Sequence, residues 1–144
     1  MAKDHLFDAS ALVDLVLGIA PDGVTIEAVY GHHILDLTMY EASNALWKTG
    51  VANDNLTDDE LREAVEILDR LDREVTVERA TKTGLPPTMR TARETGVTFY
   101  DASYLSVAER NDLALITEDR PQRQAATEQG VTVRSLADLA GDGS

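Results

Sequence analysis

The sequence predicts an α/β fold, a parallel sheet with helices on both faces. Three observations predict it. Apolar runs of strand length recur at residues 5–8, 33–37 and 113–117. Between them lie segments with helical starts, stops and periodicity, and strands alternating with helices imply parallel pairing. Acidic side chains stand at the carboxyl ends of apolar runs, where open parallel sheets bind their ligands.

In chain order, residues 5–8 are a short buried strand, and a helix over 10–17 ends at Gly18. A second helix is expected over 22–30 and a strand over 33–37. Thr38 opens a helix that reaches Lys48 and is stopped by Gly50. Thr57, Asp58, Asp59 and Glu60 make a capping box at the head of a helix whose apolar stripe is Leu61, Val65, Leu68 and Leu71. Residues 75–77 form a short strand. Pro86 and Pro87 start a helix that runs to Gly96. Asp101 starts the next, through about Arg110, and a strand covers 113–117. A last helix over 120–128 ends at Gly130, and 131–133 return as strand. A single domain is expected over residues 1–139, with a polar tail over 140–144; no repeat, low-complexity stretch or linker divides the chain.

A hydrophobic content of 43% in 144 residues is globular and large enough to bury a core. No apolar run approaches the roughly 20 residues of a membrane span. The N-terminus enters a strand-like segment directly, so no signal peptide is expected, and cysteine is absent; a cytoplasmic protein is the expectation. The charge is lopsided: 26 acidic against 13 basic residues, formally −13. An acidic surface of this kind suits a protein adapted to high salt, because the Debye length at 1 M is only about 3 Å. It argues against broad electrostatic capture of nucleic acid.

Four acids draw attention: Asp8 after Leu6-Phe7, Glu41 in the helix opened by Thr38, Asp101 before Ala102-Ser103, and Asp119 after Leu115-Ile-Thr-Glu118. Gathered in one pocket they would repel one another unless protonated or neutralised by a cation. Hard oxygen ligands suit Mg²⁺ or Mn²⁺, so the leading expectation is a metal-dependent phosphodiester hydrolase. Each acid also has a local reading. Asp8, Asp101 and Asp119 can be helix N-caps, and Thr38-x-x-Glu41 is itself a capping box. Glu41, Asn44 and Lys48 share one helix face, which would suit a metal and a phosphate or simply face solvent. Ser10 and Thr117 are hydroxyls beside these acids that can orient a carboxylate or water, or bond backbone at a strand end. Alternation turns the Glu118 side chain away from that of Asp119.

Other residues read more plainly. His5, His32 and His33 lack zinc spacing and take strand-edge or surface roles. Trp47 and Tyr104 fall at core-compatible helix positions and are read as packing. Arg90, Arg93, Arg120 and Arg123 are candidate phosphate contacts. No nucleophile elbow and no glycine-rich phosphate loop is present. Ser10 also stands where a haloacid-dehalogenase-type phosphatase would carry its second aspartate.

The segments Phe7-Asp-Ala-Ser10, Tyr40-Glu-Ala-Ser-Asn44, Tyr100-Asp-Ala-Ser-Tyr-Leu-Ser-Val-Ala108 and Leu115-Ile-Thr-Glu-Asp119, in this order over residues 4–139, resemble the PIN-domain family, and most closely the VapC-type ribonuclease toxins. The resemblance implies a three-layer α/β/α sandwich around a central parallel sheet. It implies that Asp8, Glu41, Asp101 and Asp119 bind one or two Mg²⁺ or Mn²⁺ ions, with Ser10, Asn44 and Thr117 in support. It further implies a homodimer and a small cognate antitoxin that covers the active site. Many relatives carry a further acid just after the position of Asp119, where this chain has Arg120-Pro121, and that departure bears on a second metal.

The reading is a Mg²⁺/Mn²⁺-dependent endoribonuclease that hydrolyses RNA phosphodiester bonds with metal-activated water. Asp8, Asp101 and Asp119 hold the metal, and Glu41 helps hold it or orients the water. Two rivals remain. One is a non-catalytic PIN-like module that binds RNA or a protein; the other is a DNA nuclease with the same metal chemistry, separable only by substrate comparison.

Overall fold

The computed structural model describes residues 3–141. β1 (His5–Phe7) leads at once into α1 (Ala9–Val16), followed by β2 (His33–Leu35), α2 (Thr38–Trp47), α3 (Asp58–Arg70) and β3 (Thr76–Glu78). Then come α4 (Leu85–Thr95), α5 (Phe99–Arg110), β4 (Ala114–Ile116), α6 (Arg120–Glu128), β5 (Val133–Arg134) and α7 (Leu136–Leu139). All strand pairs are parallel, in the order β3-β2-β1-β4-β5.

The pleat divides the strand side chains between two cores. The register sets Leu6 beside Leu115 and Phe7 beside Ile116. Phe7, Ile34 and Ile116 pack against α1, α2, α3 and α7 through residues such as Leu12, Leu46, Leu68 and Leu136. Leu6, Leu35 and Leu115 pack on the other face against Tyr104, Leu105 and Ala108 of α5 and Ala125 and Ala126 of α6. The result is a three-layer α/β/α sandwich with a central parallel sheet. Burial on both faces explains why β1, β2 and β4 read as continuous apolar runs.

The chain moves outward from β1 to β2 and β3 on one side, then crosses to β4 and β5 on the other. The switch in direction lies between β1 and β4. There the carboxyl ends of adjacent strands release chains to different elements, the usual ligand position in such sheets.

Several local readings are corrected. The helix expected over 22–30 reduces to a 3₁₀ turn over Ile26–Val29, because Asp22 (φ 50°) and Gly23 (φ 79°) take left-handed backbone that no helix accommodates. Gly50 does not stop α2, since the chain continues as a π-turn over Lys48–Ala52. A Cβ at position 50 would stand 3.0 Å from Leu61 Cδ1 and 3.2 Å from Leu56 Cδ1, so this glycine permits close approach instead. Trp47 is 54% exposed rather than packed. Helix α5 begins at Phe99, and its N-cap is Thr98, whose hydroxyl accepts from the Asp101 N–H. The strands are shorter than or offset from the expected spans, and the short α7 was not expected. Residues 142–144 of the expected tail lie outside the described residues.

Helix α3 keeps its capping box: Thr57 accepts from the Glu60 N–H while Glu60 accepts from the Thr57 N–H. Its stripe is rotated, however. Ala64, Leu68 and Leu71 are buried and Val65 is 45% exposed. Urea unfolding should therefore report a loss of about 2–5 kcal/mol for Leu68→Ala and no more than about 0.5 kcal/mol for Val65→Ala. Equal losses would return Val65 to the core.

Candidate functional site

Asp8 follows β1 directly. Its backbone N–H continues the β1–β4 ladder by donating to Ile116 O at 3.1 Å, which fixes its carboxylate at the carboxyl end of the sheet, beside the switch in strand order. The side chain is 5% exposed. It is also the N-cap of α1: Oδ1 accepts from the Ala11 N–H at 3.1 Å and from the Ser10 hydroxyl at 2.6 Å. Burial pushes the Asp8 carboxyl up to about 6, and the Asp101 charge adds to this, against the opposing hydrogen bonds from Ser10, Thr117 and Ala11.

Ser10 and Thr117 tie β1 and β4 together above the sheet. The Ser10 hydroxyl donates to Asp8, and its oxygen stands 3.3 Å from that of Thr117. Ser10 Oγ also accepts from the Glu118 N–H, and Thr117 Oγ1 accepts from the Asp119 N–H. The strand-end backbone bonds and the orientation of the acid thus come from the same two hydroxyls.

Glu41 reaches the site from α2. The capping-box reading of Thr38 and Glu41 fails: the N-cap is Leu37, with no side-chain cap bond. Thr38 is buried and accepts from the Leu35 N–H at 3.0 Å. The Tyr104 hydroxyl donates to Glu41 Oε1 at 2.7 Å, so the Thr38 hydroxyl, 2.7 Å from the same phenol oxygen, is the donor between them. A relay therefore runs from the end of β2 through Thr38 and Tyr104 to Glu41. Burial raises the Glu41 carboxyl, the Tyr104 bond lowers it, and Asp101 raises it again. Burial and the Glu41 charge hold the Tyr104 hydroxyl above its ordinary value, which keeps it a donor.

Asp101 lies in the first turn of α5, half-buried. Burial raises its carboxyl first and the Asp119 charge second, with the Thr98 bond opposing. Asp119 is the N-cap of α6 and accepts from the Gln122 N–H at 3.0 Å. Asp101 thus feels Asp119 while Asp8 and Glu41 feel Asp101, so four carboxylates from four separate elements share one field. Among the described residues none of the four takes part in an ion pair.

Among the described residues, no three acidic or histidine side chains stand close enough together to enclose an ion as they are. Asn44 is exposed on α2 one turn beyond Glu41 and, among the described residues, makes no hydrogen bond to the other three acids, Ser10 or Thr117. Glu118 turns away from Asp119: its Oε2 accepts from the Leu136 N–H and lies 3.8 Å from Arg123. Arg123 also donates to Thr117 O at 3.3 Å.

Sequence reasoning assigned Tyr104 to packing alone and passed over Gln122. Tyr104 is buried, but its phenol serves Glu41. The available signal was a hydroxyl on an otherwise apolar helix face three residues after Asp101, which needs a partner once buried.

The model of the PIN domain matches residues 6–128. Exonuclease VapC9 of Pyrobaculum aerophilum is 35% identical over 139 residues, spanning 94% of this chain and 95% of that protein. The crystal structure of PAE2754 from Pyrobaculum aerophilum matches with a TM-score of 0.73 at 34% identity, over 97% of this chain and 96% of that one. The matched stretch runs from β1 through α6 and includes all four acids; the chain belongs to the PIN-domain family.

Proposed function

We propose that this chain is a divalent-metal-dependent endoribonuclease, the toxin of a toxin–antitoxin pair. The observation that carries the reading is the shared field of Asp8, Glu41, Asp101 and Asp119 at one end of the sheet, where burial and mutual charge raise three of the four. Membership of the family and the similarity to a protein named as an exonuclease support a nuclease.

The donor set fits Mg²⁺ or Mn²⁺. It is all carboxylate, with no sulfur or imidazole, and among the described residues no cationic side chain pairs with it. Asp8, Asp101 and Asp119 would hold the ion, with Glu41 completing the set or orienting a water. Bound there, a divalent cation supplies positive charge against the phosphoryl oxygen and makes water more acidic. The chain's own residues do the rest. Ser10 and Thr117 fix the Asp8 carboxylate, and Tyr104 pins one oxygen of Glu41 so that the other can accept a proton from water. Asn44, exposed on α2 one turn beyond Glu41, would be a polar support of the site. A small antitoxin covering the acidic end and a homodimer belong to the same reading.

RNA is the proposed substrate and internal cleavage the proposed mode. With a formal charge of −13, substrate capture relies on the bound cation and local arginines such as Arg120 and Arg123 rather than on a basic surface. A closed circular RNA beside its linear form separates internal cleavage from cleavage at ends, and a matched DNA tests the sugar.

Mn²⁺ should support cleavage and EDTA should abolish it. Asp8→Asn and Asp101→Asn should each fall below about 1% of the wild-type rate, since loss even of outer partners of a metal typically reduces activity 10–100-fold. Both should keep their circular dichroism spectra. Full activity in Asp101→Asn breaks the assignment.

A pH dependence follows from Asp8. Its folded value is above its unfolded one, so the neutral form is favoured in the native state. That stability is complete below about 4 and is lost as pH rises through about 6. Asn keeps the acceptor that caps α1 but cannot ionise. In EDTA, Asp8→Asn should match the wild type near pH 4 and exceed it by about 3 kcal/mol at pH 7.5 in urea unfolding. Mn²⁺ should raise the wild-type melting temperature at pH 7.5 and leave that of Asp8→Asn nearly unchanged. A wild type that is the more stable at pH 7.5 without metal would refute the buried-charge account.

A further inference from the structure

Gln122 touches both acids supplied by the second half of the chain. Its backbone N–H donates to Asp119 Oδ2 at 3.0 Å, and its side-chain Nε2 donates to the backbone carbonyl of Asp101 at 2.9 Å. The residue is fully buried, at 0% exposure. Its amide oxygen is buried as well and has no hydrogen-bond partner among the described residues. Rotating the amide does not relieve this, because it would set the oxygen against the Asp101 carbonyl, acceptor against acceptor.

An unpartnered buried acceptor is unfavourable, and an apolar side chain of similar volume avoids it. Glutamine is therefore a poor choice for filling space beside Ala125 and Ala126 on the inner face of α6. What it provides is a tether between the first turn of α5, which carries Asp101, and the first turn of α6, which Asp119 caps. Those two acids repel each other, as the rise that Asp119 causes at Asp101 indicates. A bond from α6 to the Asp101 backbone resists their separation without touching either carboxylate through the side chain.

We propose that Gln122 is a positioning residue of the metal centre: its amide bond to the Asp101 carbonyl sets the spacing of Asp101 and Asp119. This rests on the reading of the four acids as a divalent-metal site. The tether can be removed cleanly, since the backbone N–H that serves Asp119 survives any non-proline side chain at position 122.

The test uses the full chain with Gln122→Leu and Gln122→Met, followed by Mn²⁺ titration calorimetry and by thermal unfolding in EDTA. Both variants should unfold in EDTA at or above the wild-type temperature, because the orphaned acceptor is gone. Both should bind Mn²⁺ about 10–100-fold more weakly, the usual effect of losing an outer-shell partner. Their cleavage rates should return toward wild type at saturating Mn²⁺. Two results overturn the tether: Mn²⁺ affinity within about twofold of wild type, or weakened binding accompanied in both variants by a lowered melting temperature in EDTA, which makes Gln122 merely structural. A wild-type chain that takes up no Mn²⁺ overturns the metal reading and the tether with it; normal wild-type uptake with unaltered variants overturns the tether alone.

Discussion

One buried negative charge organises the end of this molecule where four elements meet. Asp8 leaves the central strand at a position only 5% exposed to solvent, and desolvation there opposes its ionisation. The neighbours reduce that penalty in the cheapest available way, with a helix N-terminus and two hydroxyls rather than a cation. Hydrogen bonds from Ser10 and Ala11 hold the carboxylate in one orientation and leave the field of the cluster negative. Glu41, Asp101 and Asp119 deepen it. An arrangement that repels itself stands here at the end of the central strand, and perturbed acids of this kind mark candidate functional sites.

Capping and ligand binding are usually set against each other as explanations of an acid at a helix start. Here the cap geometry is what aims the acids. Asp8 caps α1 and Asp119 caps α6, so each has one oxygen engaged by its own helix while the carboxylate remains fixed at the sheet end. Asp101 is held by a different device, inside the first turn of a helix capped by Thr98. Glu41 is held by a third, a hydroxyl relay that crosses from the α2 side of the sandwich to α5. Three kinds of local restraint thus serve one cluster, and each uses bonds that the secondary structure needs at its ends in any case.

The acidic surface has a physical counterpart in this site. A protein whose formal charge is −13 repels polyanions at long range, and salt screens that repulsion. A divalent cation held by the four acids, as proposed, would reverse the sign of the potential only locally.

Much of this was legible in the residues themselves. The strand–helix alternation, the capping box at Thr57 and the glycine end of α4 at Gly96 (φ 78°) are set by neighbours in sequence, and local physics decides them. The acids at the carboxyl ends of β1 and β4 follow from the same patterning. What sequence could not decide depends on contacts between distant segments. Val65 faces out because α3 meets the sheet through Ala64 and Leu68. Trp47 is exposed because α2 turns its Ala42 and Leu46 face inward. Thr38 gave up its capping role because a phenol 66 residues away supplied a better partner. Gln122 acquired its place from the approach of α6 to α5. Most elements, and the acids at their ends, follow from neighbours along the chain; which groups share a field follows from the fold, because burial and charge coupling depend on distances across it.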